Sequence, residues 1–315
     1  MKVLITGSEG YIGQALVGKL LNVSAVVGVD IQRRSAAVAG YRFVKMDIRD
    51  AALAELMLHE QVTHVVHLAS VLQASPDRER DYDIDVNGTR NVVQACLHAG
   101  VRHLTVTSSG AAYGYHADNP TWLRETDPLR GNESFAYSHH KRLVEELLAN
   151  YREQHPQLQQ LVLRPGTVLG RSTDNQITAL FKRKRLLAIQ GSASPFVFIW
   201  DQDVIEIIYQ GVMGAKVGIY NLAGDGAITL AEIAAELNKS LLVLPAWLLG
   251  NALRIGHALG LTQYSAEQLD FLRYRPVLAN DALKEEFGYT PMKTSRETFD
   301  YFIDHNLRRQ RDASA

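Results

Sequence analysis

Short apolar, β-branched runs alternate with helical patterns over the first two-thirds of the chain. Residues 3–6, 25–30, 42–46, 64–68, 103–108 and 160–164 read as strands. Between them, Ile12, Ala15, Leu16, Lys19 and Leu20 recur at helical spacing within residues 12–21. Residues 87–99 repeat the pattern and turn Val92, Val93, Ala95 and Cys96 inward. Runs apolar throughout, such as Val65-Val66, predict a sheet covered on both faces. The expected fold class is α/β: a Rossmann-like, doubly wound parallel sheet. After Pro165 the alternation fades. Residues 171–200 are expected to be irregular and partly basic, 204–212 and 230–237 helical, and 218–222 a further strand. Amphipathic helices are expected at 267–272 and 280–286. The sheet domain is thus expected over 1–165 plus about 201–223. A smaller mixed α/β C-terminal domain takes about 166–200 plus 224–315 and stands over one edge of the sheet.

Composition narrows the picture by exclusion. The 315 residues are 46% hydrophobic and 21% charged, an ordinary globular balance of a size that suggests about two domains. Lysine and arginine number 33 against 34 acidic residues, so no net field gathers nucleic acid or an anionic membrane. Cys96 is the only cysteine, which excludes an intrachain disulfide and a multi-cysteine metal site. No metal is expected. The longest apolar stretch, residues 241–250, is about half what a bilayer crossing needs, and no secretory signal opens the chain. The expected location is cytoplasmic, without membrane insertion.

Strand one runs straight into Thr6-Gly7-Ser8-Glu9-Gly10-Tyr11-Ile12-Gly13, which opens a helix. Glycines at 7, 10 and 13 leave room for a pyrophosphate against backbone N–H groups and the helix N-terminus. Strand before and helix after are the context that this motif requires. Asp30 ends the second strand, where a carboxylate holds both ribose hydroxyls and repels a 2′-phosphate, favouring NAD over NADP. Arg33 and Arg34 follow; they are read as a solvated loop, although a phosphate could pair with them.

Tyr137-Ser138-His139-His140-Lys141 begins a helical pattern that continues through Leu143, Val144, Leu147 and Leu148. Tyrosine and lysine four apart share one helix face. A tyrosine works as a general acid/base at neutral pH only if its pKa falls about three units, or ~4 kcal/mol. An ammonium ~5 Å away supplies roughly 3 kcal/mol at an effective dielectric near 20. Thr107-Ser108-Ser109-Gly110 ends the fifth strand, on the side where open α/β sheets bind ligands, and a serine there can hold a substrate oxygen. His139 and His140 are read as helix-surface residues, since no further ligands converge on them at metal spacing.

In order and spacing these residues resemble the extended short-chain dehydrogenase/reductase family, which includes sugar-nucleotide epimerases and dehydratases. The resemblance implies Ser109, Tyr137 and Lys141 as the catalytic set and Gly7, Gly10 and Gly13, with Tyr11 and Ile12, as the pyrophosphate turn. It implies Asp47-Ile48 at the adenine and Leu68-Ala69-Ser70, Thr107 and Pro165 along the cofactor, together with Asp30, Tyr137 and Lys141. Three departures bear on substrate. Asp85 stands where the family usually has asparagine, three residues before Gly88-Thr89, with Asn87 two positions later. Gly110 and Ala111 follow Ser109 where dehydratases carry an acid. Thr167 replaces the asparagine usual in sugar-nucleotide epimerases, and no arginine lies near Phe196 in the chain.

The reading that results is an NAD-dependent oxidoreductase acting on a secondary alcohol or ketone, with NADP the lesser alternative. Ser109 orients the oxygen, Tyr137 moves the proton, and Lys141 assists it. A sugar-nucleotide epimerase is the alternative, and a non-catalytic dinucleotide-binding protein the third. The basic run at 181–185 reads as a solvated face, with a substrate phosphate the competing role, and residues 122–125 are placed beside the substrate. The expected partner is a small molecule, not nucleic acid. The resemblance also implies a homodimer packed through residues 83–99 and 137–151.

Overall fold

The computed structural model describes residues 1–33, 37–72, 75, 77–258 and 269–307, with only the backbone for 255–258 and 307. Arg34 and the first two residues of the helix expected at 267–272 lie outside them. The strands are β1 (Lys2–Thr6), β2 (Ala25–Asp30), β3 (Tyr41–Lys45), β4 (His64–His67), β5 (His103–Thr107), β6 (Gln159–Pro165) and β7 (Thr167–Leu169). They continue with β8 (Leu186–Ile189), β9 (Phe198–Trp200), β10 (Gly218–Leu222) and β11 (Leu241–Leu244). The helices are α1 (Tyr11–Leu20), α2 (Ala52–His59), α3 (Arg78–Tyr82), α4 (Gly88–His98), α5 (Ala136–Gln154) and α6 (Gln176–Lys182). Beyond them come α7 (Asp201–Met213), α8 (Leu230–Glu236), α9 (Ala246–Ala258), α10 (Leu269–Arg273), α11 (Asp281–Glu285) and α12 (Ser295–Phe302).

Seven parallel strands form the main sheet in the order β3-β2-β1-β4-β5-β6-β10. The period of two in β1 shows why it is doubly covered. Val3 and Ile5 enter one core with residues of α1 and α7, and Leu4 enters the other with residues of α2, α4 and α5. All three are fully buried, each worth roughly 1.5–3 kcal/mol relative to exposure. Strand order reverses between β1 and β4, and ligands of such sheets bind beyond the strand C-termini at that point.

The smaller layer is built on Phe181, Phe196, Phe198, Phe299 and Phe302, around which α6, α8, α12 and the parallel pairs β7–β9 and β8–β11 gather. Residues 171–200 are therefore not irregular. Asn175 and Thr178 close a capping box that starts α6, and β8 and β9 follow. These strands have three or four residues, too few to show a period, and β8 is stabilised by a partner more than fifty residues away. Among the described residues no helix is long and apolar enough to cross a membrane.

Candidate active site

A cleft of about 520 Å³ opens beyond the C-terminal ends of β1, β4, β5 and β6, between the sheet and the smaller layer. At one end lies the glycine turn. Gly7 has φ +69°, and a Cβ there would stand 2.8 Å from the Ala69 nitrogen. A Cβ on Gly13 would stand 2.3 Å from the Gly7 carbonyl oxygen. Gly10 caps α1 without a side-chain acceptor, leaving first-turn N–H groups available to an anion. The cradle fits a dinucleotide pyrophosphate. Asp30 stands beside it, accepting the Glu9 N–H at 3.0 Å, while the Glu9 carboxylate is buried and takes the Tyr41 hydroxyl at 2.8 Å. Two carboxylates at this point disfavour a 2′-phosphate.

The structure brings most of the expected cofactor residues to this cleft: Gly7, Gly10, Tyr11, Ile12 and Gly13 from the turn, then Leu68, Ser70, Thr107 and Pro165 from strand ends. Tyr11 donates its hydroxyl to Asp201 across the cleft. Ala69 meets the turn through its backbone. Asp47 and Ile48 do not line the cleft. Asp47 pairs with Arg49 at 2.7 Å, which lowers its carboxyl below the usual range, and Ile48 is buried against Gly88.

Ser109, Tyr137 and Lys141 all face the cleft. Ser109 caps the short turn Gly110–Tyr113, and its Oγ accepts the Ala111 N–H at 3.1 Å, leaving the hydroxyl proton free to donate. Tyr137 opens α5. One turn on, the buried Lys141 holds its Nζ 5.6 Å from the Tyr137 ring centre and donates to the Thr107 carbonyl at 3.3 Å. His67 lies nearby, fully buried, and burial followed by the Lys141 charge pushes it down to about 3. The Thr89 hydroxyl donates to the Asp85 carbonyl at 2.5 Å, so its oxygen accepts from His67 Nε2 at 3.0 Å. Thr6 then donates to Nδ1 at 2.7 Å, which sets the neutral tautomer.

A buried polar network supports this turn from below. The adjacent Ser108 also borders the cleft, but it is buried and its hydroxyl donates to Glu145 at 2.5 Å. Arg164 grips both Glu145 oxygens at 2.6–3.0 Å and donates to Tyr113 Oη at 2.7 Å. Tyr113 donates on to Asn221 at 2.9 Å. Burial favours a neutral Arg164, but Glu145 and Tyr113 more than offset it and raise the guanidinium's affinity for its proton. Glu145 went unread in the sequence because it looks like any acidic residue of an amphipathic helix.

One expectation is overturned on α5. His140 is not a surface residue: it is buried and holds Asp85 at 3.1 Å, because its face of the helix meets the π-helical turn Asp83–Asn87. Asp85 also accepts from Ser70 Oγ at 2.9 Å and Val71 N–H at 2.8 Å. Burial pushes its carboxyl up, but these bonds and Lys141 together bring it below the usual range. His139 remains half-buried.

The far end of the cleft is aromatic. Tyr115, Phe135 and Phe271 meet with ring centres 5.2–5.6 Å apart. Arg275 stacks its guanidinium 4.0 Å from the Phe196 ring centre and 4.6 Å from that of Phe271, and burial lowers it to about 10. The arginine missing near Phe196 in the chain is supplied by folding. Trp122 is exposed and does not line the cleft, and Lys182 to Arg185 are exposed outside it, while Phe181 is core.

Residues 3–201 match the model of the NAD dependent epimerase/dehydratase family. The chain is similar to an uncharacterized protein of Mycobacterium bovis, 24% identical over 97% of this chain and 84% of that one. It is also similar to the N-acetyl-alpha-D-glucosaminyl-diphospho-ditrans,octacis-undecaprenol 4-epimerase of Escherichia coli O157:H7, 24% identical over 76% of this chain and 72% of the other. Among solved structures it resembles the Thermus thermophilus UDP-glucose 4-epimerase complex with NAD, with TM-score 0.73 and 23% identity over 97% and 98% of the two chains.

Proposed function

The chain belongs to the NAD dependent epimerase/dehydratase family, and from that premise we propose that it is an NAD-dependent oxidoreductase working at a secondary alcohol or ketone. The observation that carries the reading is the meeting of Ser109, Tyr137 and Lys141 with the glycine turn in one cleft. Bound NAD supplies the hydride acceptor. Gly7, Gly10 and Gly13 give its pyrophosphate room, and Asp30 takes the ribose hydroxyls. Ser109, its oxygen already accepting the Ala111 N–H, donates a hydrogen bond to the substrate oxygen and orients it. Tyr137 takes the alcohol proton as the carbonyl forms, and the Lys141 ammonium stabilises the phenolate. The carbons and aromatic rings of the far wall exclude water from the reacting centre. Tyr137→Phe removes the proton acceptor and nothing else. Turnover should vanish while NAD still raises the melting temperature; retained turnover refutes the assignment.

A second reading has a specific observation behind it. Arg275 is a half-buried cation with no carboxylate in ion-pair range among the described residues, and it lines the far end of the cleft. That suits an anionic substrate group, such as the diphosphate of a nucleotide- or lipid-linked sugar, and the 4-epimerases named above act on sugars of these kinds. Interconversion of two epimers with no net formation of reduced nicotinamide, and a KM raised by Arg275→Met, would support it. The same proposal includes a homodimer through residues 83–99 and 137–151, which sedimentation velocity checks.

A further inference from the structure

Outside the cleft, one surface combines features that no step of the proposed chemistry uses. Lys182, Arg183, Lys184 and Arg185 are all exposed. Lys182 pairs with Asp174 at 3.0 Å, but the other three have no carboxylate in ion-pair range among the described residues. The run leads directly into β8, which pairs in register with β11, Leu186 opposite Leu241. On β11, Leu242 and Val243 are 38% and 54% exposed, and at the start of α9 Trp247 and Leu248 are 68% and 42% exposed. In that register Arg185 stands level with Ser240, about 7 Å along the strand from Leu242, whose side chain leaves the same face of the pair. Exposed positions 247, 248, 251, 252 and 254 of α9 fall on a single arc of the helix.

We propose that this face, the basic run before β8 together with the apolar side chains of β11 and α9, docks on an anionic lipid bilayer. Charge complementarity selects the occupant. Three unpaired cations suit lipid phosphates, and tryptophan with leucine and valine suits the boundary between headgroups and acyl chains. A second copy seated isologously would oppose two basic runs. Nucleic acid would leave Leu242 and Leu248 without a partner. The attachment is peripheral, with the helix lying in the interface. It needs no knowledge of the substrate, yet it has a consequence for access. α10 packs on α9 and carries Phe271 into the cleft wall, so the docked face lies beside the substrate end of the site.

The test is co-sedimentation of the full chain with vesicles of phosphatidylglycerol and phosphatidylcholine, or phosphatidylcholine alone, at low and high salt. The chain should sediment with the anionic vesicles, be released by salt, and stay in solution with the neutral ones. Each surface cation contributes roughly a five-fold factor to partitioning, so Arg183→Glu/Lys184→Glu/Arg185→Glu should weaken binding by at least about a hundred-fold. Trp247→Ser should weaken it and Trp247→Phe largely retain it. The emission blue-shift on binding should be absent from Trp247→Phe. All these side chains are exposed, and unchanged melting curves establish that the variants fold. Equal binding to neutral vesicles, undiminished binding by the triple variant, or no binding at low salt overturns the proposal. So does concentration-dependent self-association that Trp247→Ser abolishes, which would assign the face to a second copy.

Discussion

Removing Glu145 tests the idea that the catalytic turn rests on a buried ion pair. The side chains of Glu145 and Arg164 are each 4% exposed, and the carboxylate accepts three contacts from Arg164 and one from Ser108. In Glu145→Leu, Arg164 keeps only Tyr113 Oη and the Glu125 carbonyl. An arginine has no accessible neutral form, so the charge stays buried without a counter-charge, at a cost of about 3–5 kcal/mol. The stranded Ser108 hydroxyl adds about 1 kcal/mol. Against a total stability on the order of 5–15 kcal/mol, that is a large fraction. Arg164→Met should cost a similar amount, since Glu145 then keeps Ser108 alone. The double variant Glu145→Leu/Arg164→Met removes both charges and should recover most of the loss, because burying an ion pair returns little net stability over apolar packing. Urea unfolding of all four proteins at neutral pH gives the coupling energy, expected at roughly 3 kcal/mol or more. A double variant as unstable as the sum of the singles, or singles costing under about 1 kcal/mol, would refute the reasoning.

Gly13→Ala places a methyl 2.3 Å from the Gly7 carbonyl, so the turn must shift; calorimetry should find NAD binding weakened at least about ten-fold while circular dichroism stays native. Asp30→Asn removes the charge facing a 2′-phosphate and should narrow the preference for NAD over NADP, read as a ratio of kcat/KM values. His67 is held at about 3 against an ordinary 6.5, so the unfolded chain takes up the proton first and stability falls as pH drops from about 6.5 toward 3. The loss should reach about 2 kcal/mol at pH 5, and His67→Gln should flatten the acid limb of the stability curve by that amount; an unchanged limb sinks the assignment.

The main sheet, the glycine turn and the Ser109–Tyr137–Lys141 set were legible from one dimension because each rests on local spacing. A strand period of two, a helix period of 3.6 and a turn that excludes side chains leave their mark within about a dozen residues. The smaller layer was not legible at 171–200. Its short strands are stabilised by partners far along the chain, and its phenylalanines look like any scattered apolar residues until they meet.

The amino-acid order alone therefore determined which groups carry the candidate chemistry and on which side of the sheet they stand. Tertiary structure alone decided what surrounds them. It separated Ser109, whose hydroxyl proton is free to donate, from Ser108, whose proton is given to Glu145. It buried His140 against Asp85 and drew Arg275 onto Phe196 across seventy-nine residues. Such pairings join positions with no fixed separation, and their energies come from burial and charge compensation, which exist only once the chain has closed on itself.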